Sequence, residues 1–157
     1  MNVFLEVHQE VLKSLLTHNV SFMLVGGYAV NYYGYNRMTG DLDLWIEPEN
    51  ANKLLLLEAM RDLGFDEKGI STLNKLDFRQ AQLFSILERP FQVEFMTHIS
   101  GVKFEEAKRY AIFVEIDEVL ISIIHFNDLI TNKLTTGRPQ DMVDVEQLRK
   151  IQNFRGE

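Results

Sequence analysis

The hydrophobic positions along the chain change period several times, and each change marks an element. Apolar residues at positions 4, 7, 11, 12, 15 and 16 recur with helical spacing and predict an amphipathic first helix. Ser21 to Val25 is a short apolar run, predicted as a strand that Gly26-Gly27 breaks. Tyr28 to Tyr33 predicts a short helix stopped near Gly34, and Tyr35 to Gly40 a loop. From Asp41 to Glu47 polar and apolar residues alternate, the period of a strand. Pro48 and Asn50 open a helix to Gly64, with Leu54, Leu55, Leu57, Met60 and Leu63 as its expected packing face. Residues 65–80 follow no single period. Gln82–Leu87 and Phe91–Met96 predict a hairpin across Glu88-Arg89-Pro90. Phe104–Tyr110 predicts a helix, and Ile112–Ile116 and Val119–Ile124 two strands. Asn127 is the expected cap of a helix ending before Gly137, the favoured residue after a helix end. Pro139 opens a last helix to about Phe154.

Strands and helices interleave, with no repeat, low-complexity tract or linker. The expected fold is therefore α/β (α+β), a mixed twisted sheet with flanking helices and a C-terminal helix pair. The expected organisation is a single domain over 1–157, its core about 20–125 and its helical section about 126–155.

Composition narrows the chemistry. The chain has 157 residues, enough for one domain with a real core. It has no cysteine, which removes disulfides, thiolate nucleophiles and cysteine zinc sites. The four histidines, His8, His18, His98 and His125, lack metal-ligand spacing. There is no nucleophile elbow, Walker loop or dinucleotide fingerprint. The first residues do not read as a signal peptide and no apolar run reaches membrane-spanning length, so a cytoplasmic location and no membrane partner are expected. The formal net charge of −7 argues against broad nucleic-acid binding, which needs a basic footprint.

One strand carries chemistry that a structural strand does not need. Asp41, Asp43 and Trp45 fall on one face of the strand 41–47, and Leu42, Leu44 and Ile46 on the other. Carboxylates two residues apart stand roughly 7 Å apart at the backbone. At that spacing they repel unless a proton or a cation neutralises them. Within Gln92-Val93-Glu94-Phe95-Met96, Val93 and Phe95 are core residues and Glu94 points the opposite way. Three carboxylates on one sheet face make an all-oxygen site suited to magnesium. The break at Gly26-Gly27 exposes backbone N–H groups at a helix start, a setting that accepts phosphate. A phosphate cradle facing a carboxylate metal site is the equipment for phosphoryl or nucleotidyl transfer.

The order Gly26-Gly27, thirteen residues, Asp41-Leu42-Asp43-Leu44, then Val93-Glu94-Phe95 resembles the nucleotidyltransferase superfamily with the DNA polymerase beta-like fold. Arg37-Met38-Thr39-Gly40-Asp41-Leu42-Asp43 is similar to the arginine, serine or threonine, D-x-D pattern of its small bacterial minimal and AbiEii-like groups. Asp128 to Lys133, then Gly137-Arg138-Pro139-Gln140-Asp141 and Asp144, resembles their C-terminal helix pair. The resemblance spans roughly residues 21–150 and departs at two points: Gly26-Gly27 stands where many active members have glycine-serine, and Glu94 replaces the commoner aspartate.

The resemblance implies a metal-dependent enzyme that moves NMP from an NTP onto a hydroxyl. Asp41 and Asp43 would hold two magnesium ions and Glu94 the catalytic one. Gly26 and Gly27 would line the phosphates, Arg37 and Thr39 would stand near them, and Lys133 would reach phosphate from the first C-terminal helix. Lys133 also reads as a solvated helix lysine, and Arg138 with Asp141 reads as a structural pair at the helix junction. Tyr28, Tyr32 and Tyr33 read as core or cleft wall, with stacking on a base as the other use. The acceptor is open between a small molecule, a protein and a tRNA end. The alternative is a non-catalytic nucleotide-binding partner, an antitoxin-like component of a toxin–antitoxin module.

Overall fold

The computed structural model describes residues 3–156; Met1, Asn2 and Glu157, at the ends of the expected 1–157 span, lie outside the described residues. In chain order the elements are α1 (Glu6–Thr17), β1 (Phe22–Val25), α2 (Gly26–Tyr32), β2 (Leu42–Ile46), α3 (Asn50–Asp62), α4 (Glu67–Asn74), β3 (Leu83–Ile86), β4 (Val93–Met96), α5 (Phe104–Tyr110), β5 (Ile112–Ile116), β6 (Val119–Ile123), α6 (Phe126–Thr136) and α7 (Pro139–Phe154). The strands form one six-stranded sheet in the order β3-β4-β2-β1-β6-β5. β1 runs antiparallel to β2 and parallel to β6. β4 runs parallel to β2 and antiparallel to β3, so the expected hairpin exists and its second strand lies beside β2.

Alternation along the strands sets the core. Leu42, Leu44, Val93 and Phe95 are fully buried, while Asp43 and Glu94 between them are only half-buried. Phe95 stacks on Phe84 of the neighbouring strand with ring centroids 5.3 Å apart. On the opposite face Phe104 of α5 meets Trp45 edge-on at 5.1 Å, and the indole N–H donates to the Thr97 carbonyl. This aromatic pair packs on the sheet face two residues beyond Asp43.

Three local expectations are corrected. Leu54 and Leu55 are exposed, and α3 instead buries Asn52, Lys53, Leu56, Leu57, Ala59 and Met60. Leu54 to Leu57 are consecutive leucines that wrap most of the helix circumference, so their pattern cannot fix the helix phase. Two buried polar side chains fix it. Asn52 binds the Ser21 backbone at both its N–H and its carbonyl, and the Lys53 ammonium caps the end of α4 through the Asn74 and Leu76 carbonyls, both at 2.8 Å. The cap of α6 is His125, whose Nδ1 accepts from the Asn127 N–H, so Asn127 receives the cap rather than providing it. Lastly, Gly26-Gly27 does not separate β1 from a later helix: α2 begins at Gly26 itself. The segment 65–80 contains α4, capped by Asp66. Gly137 ends α6 in the left-handed conformation and Pro139 opens α7, both as expected. Among the described residues, no helix is long and apolar enough to cross a membrane.

Candidate active site

The strand register assembles the carboxylates. Asp43 on β2 lies directly opposite Glu94 on β4, and Asp41 sits just ahead of β2. One oxygen from each of Asp41, Asp43 and Glu94 lies within 4.8 Å of the other two. Among the described residues this is the one cluster of acidic or histidine side chains close enough to share a cation. Its electrostatics are those of a site short of positive charge. Burial first, then the neighbouring Glu94 and Asp41 charges, push the Asp43 carboxyl up to about 7, although Lys133 and Arg138 pull the other way. Three converging carboxylates with an unpaid negative charge fit a hard divalent cation such as magnesium.

Gly26 and Gly27 are required by what packs against them. Gly26 has φ +67, and a side chain there would place its Cβ 2.9 Å from the Cβ of Asp43. A Cβ on Gly27 would fall 2.7 Å from the Cβ of Thr39. The missing side chains let Asp43 and Thr39 seat against the start of α2. The glycine pair therefore determines where the strand carboxylate and the loop hydroxyl stand.

Behind the carboxylates lies a buried charge network that joins the loop before β2 to both C-terminal helices. Arg37 grips Asp144 with two hydrogen bonds, Nε to Oδ1 at 2.7 Å and Nη2 to Oδ2 at 2.9 Å. Lys133 is buried, with its ammonium 2.8 Å from Asp144 and 3.1 Å from Asp141. Arg138 donates to Asp141 from Nε at 2.7 Å, and Asp141 also accepts from Thr136. Burial raises the Asp141 carboxyl, but hydrogen bonds from Arg138, Thr136 and Lys133 outweigh it and hold the group at about 2. Asp144 is likewise held below its ordinary value: burial opposes this, and Arg37, Lys133 and Gln140 overcome it. Asp141 also accepts from the Arg138 backbone N–H, closing the start of α7. The sequence signal for this network was the three-residue spacing of Arg138, Asp141 and Asp144, which puts them on one side of a helix start. Asp144 as its centre was not foreseen.

A cavity of about 380 Å³ opens over the site, lined by Gly26, Asp43, Glu94, Lys133 and Arg138 among others. A second, of about 580 Å³, lies beside Asp41, with Tyr28, Thr39 and Arg89 in its wall. Arg89 is exposed, its Nε 3.8 Å from Asp41. A larger cavity, about 900 Å³, lies farther along β2 around Trp45, Glu47 and Lys108. It contains none of the three carboxylates, so donor chemistry and not size locates the site. It meets the carboxylate cavity at His98 and Ile99. Of the tyrosines, Tyr28 packs on Phe4 and walls the Asp41 cavity. The Tyr33 hydroxyl donates to the Ile124 carbonyl, and Tyr32 leans edge-on against the Tyr33 ring.

Several solved structures share this architecture. A protein from Thermotoga maritima assigned to the nucleotidyltransferases is similar over 98% of this chain and 96% of its own, with a TM-score of 0.62 and 15% identity. The lincosamide antibiotic adenylyltransferase LnuA, solved with lincomycin bound, is similar over 96% of this chain and 99% of its own, with a TM-score of 0.55 and 13% identity. ANT(2")-Ia, solved with adenylyl-2"-tobramycin, is similar over 96% and 93%, with a TM-score of 0.54 and 12% identity. At these identities the likeness is one of fold. No curated protein matches the chain by sequence. The model of the family described as "Nucleotidyl transferase of unknown function (DUF2204)" matches residues 4–157, and with nearly the whole chain covered, the protein belongs to this family of nucleotidyl transferases.

Proposed function

We propose that the protein transfers NMP from an NTP onto a hydroxyl group of a small molecule, with divalent magnesium held by Asp41, Asp43 and Glu94. The observation that carries this reading is the convergence of the three carboxylates across the Asp43–Glu94 register. Magnesium bound there would neutralise the triphosphate and the attacking oxygen. Asp41 and Asp43 hold the nucleotide end of the site. Glu94 stands at the acceptor end, where its carboxylate takes the proton of the attacking hydroxyl. The hydroxyl oxygen then bonds to the α-phosphorus as the bond to pyrophosphate breaks. Gly26 and Gly27 line the phosphates, with Arg37 and Thr39 holding the approach to Asp41. A small-molecule acceptor is favoured over a protein or a tRNA end for two reasons. Two open cavities of a few hundred cubic ångströms flank the carboxylates, a size that suits a small molecule. Two similar structures also carry antibiotic ligands or products.

The test is incubation of the protein with each α-labelled NTP, magnesium and three acceptor pools: hydroxylated small molecules, RNA, and cell protein. Magnesium-dependent label in the small-molecule pool is the expected result. Label only in RNA or protein moves the acceptor class. Nucleotide binding with no transfer to any pool favours the non-catalytic, antitoxin-like reading instead.

A further inference from the structure

We propose that Arg138, rather than Lys133 or Arg37, is the cation that meets the triphosphate of the donor nucleotide; this rests on the nucleotidyl-transfer reading of the site. The argument is a comparison of three cations in one network. Arg37 gives Nε and Nη2 to Asp144 and Nη1 to the Met38 carbonyl. Lys133 is buried between Asp141 and Asp144. Either could offer phosphate only the N–H groups its partners leave over, and its charge is already matched by a buried carboxylate, Asp144 for Arg37 and Asp141 with Asp144 for Lys133. Arg138 is placed differently. Its side chain is 74% exposed and lines the cavity that Gly26, Asp43 and Glu94 also line. Only Nε and Nη2 are engaged, both with Asp141. Among the described residues nothing accepts a hydrogen bond from its Nη1, so that edge of the fork is available to an anion.

Two further features fit this role. Three cations face two carboxylates in the network, which leaves one positive charge over, and Arg138 is the cation exposed to solvent. Pairing through Nε and Nη2 also fixes the plane of the guanidinium, so little side-chain entropy remains to be lost on binding. Arg89 is the competing exposed arginine, but it lines the other cavity, which Gly26 does not line, and among the described residues no hydrogen bond fixes its guanidinium.

The experiment titrates the full chain with magnesium tripolyphosphate, which presents the phosphates without a base, and follows heat. R138Q should weaken binding about tenfold or more, the scale of one charge-assisted, desolvated contact. R89Q should change it less than twofold. The melting temperature of R138Q should stay near that of the wild type, because Asp141 keeps Lys133 and Thr136. A measurement on the unaltered protein stands beside this: magnesium tripolyphosphate should shield Arg138 from phenylglyoxal while exposed Arg109 on α5 still reacts. Wild-type-like binding by R138Q, loss with R89Q instead, or equal labelling of Arg138 with and without ligand overturns the assignment while the site stands. Failure of the wild type to bind any magnesium triphosphate overturns both this assignment and the reading beneath it.

Discussion

Replacing Asp43 by asparagine in the absence of divalent metal should stabilise the protein, and by an amount that grows with pH. The Asp43 carboxyl is raised from 3.8 to about 7, so between those values the folded state holds a proton that the unfolded chain releases. Stability therefore falls as pH rises through this window, and the full penalty is present above about 7. The gap between 3.8 and about 7 corresponds to roughly 4 kcal/mol at about 1.4 kcal/mol per pH unit. That is an upper figure, because Asp41 and Glu94 share the titration and loosening of the site relieves part of the repulsion. D43N removes the charge and keeps the shape, so about 1–4 kcal/mol should be recovered at pH 8 and little at pH 4. The assay is urea unfolding in chelator at pH 4, 5, 6, 7 and 8 for both proteins. Added magnesium should stabilise the wild type at pH 8 and leave D43N much less affected. A D43N protein less stable than wild type at pH 8 in chelator would falsify the reasoning, since Asp43 would then be held by favourable hydrogen bonds and not strained by its neighbours.

Other variants probe the parts around it. E94Q should retain magnesium-triphosphate binding in calorimetry yet lose labelled transfer by at least a hundredfold, because the proton acceptor is gone; transfer within tenfold of wild type removes Glu94 from that role. G27A should cost about 1–3 kcal/mol in chemical unfolding by forcing Thr39 aside, and adding T39A should restore part of it; a neutral G27A refutes the steric account of the glycine pair. K133M strands Asp141 and Asp144 against an apolar chain and should cost about 3–5 kcal/mol, read as a lowered urea midpoint. A loss below about 1 kcal/mol would show that Arg37 and Arg138 suffice to hold both aspartates.

How far the sequence reaches differs from one residue to the next. The period-two alternation through Asp41–Glu47 and Val93–Met96 predicted which residues are core and which face the site, because a strand leaves only two directions for a side chain. Gly137 and Pro139 marked the α6–α7 junction because the backbone angles they favour are local properties. Such signals need no knowledge of distant chain. The consecutive leucines of α3 failed for the opposite reason. Their phase depended on Ser21, Asn74 and Leu76, partners brought near only by folding.

By itself the sequence determined the candidate chemistry: three carboxylates at alternating positions of two strands, a glycine pair ahead of them, and no thiol or histidine cluster to compete. The tertiary structure decided the rest. It set β4 parallel to β2 so that Asp43 and Glu94 stand opposite one another, and it used the space of two absent side chains to seat Asp43 and Thr39. It also sank Lys133 between Asp141 and Asp144 while leaving Arg138 at the cavity edge. Lysine and arginine look alike in a helical sequence pattern. Which of them keeps a free charge depends on where buried carboxylates end up, and that follows from packing across more than a hundred residues of chain, as in the Arg37–Asp144 pair.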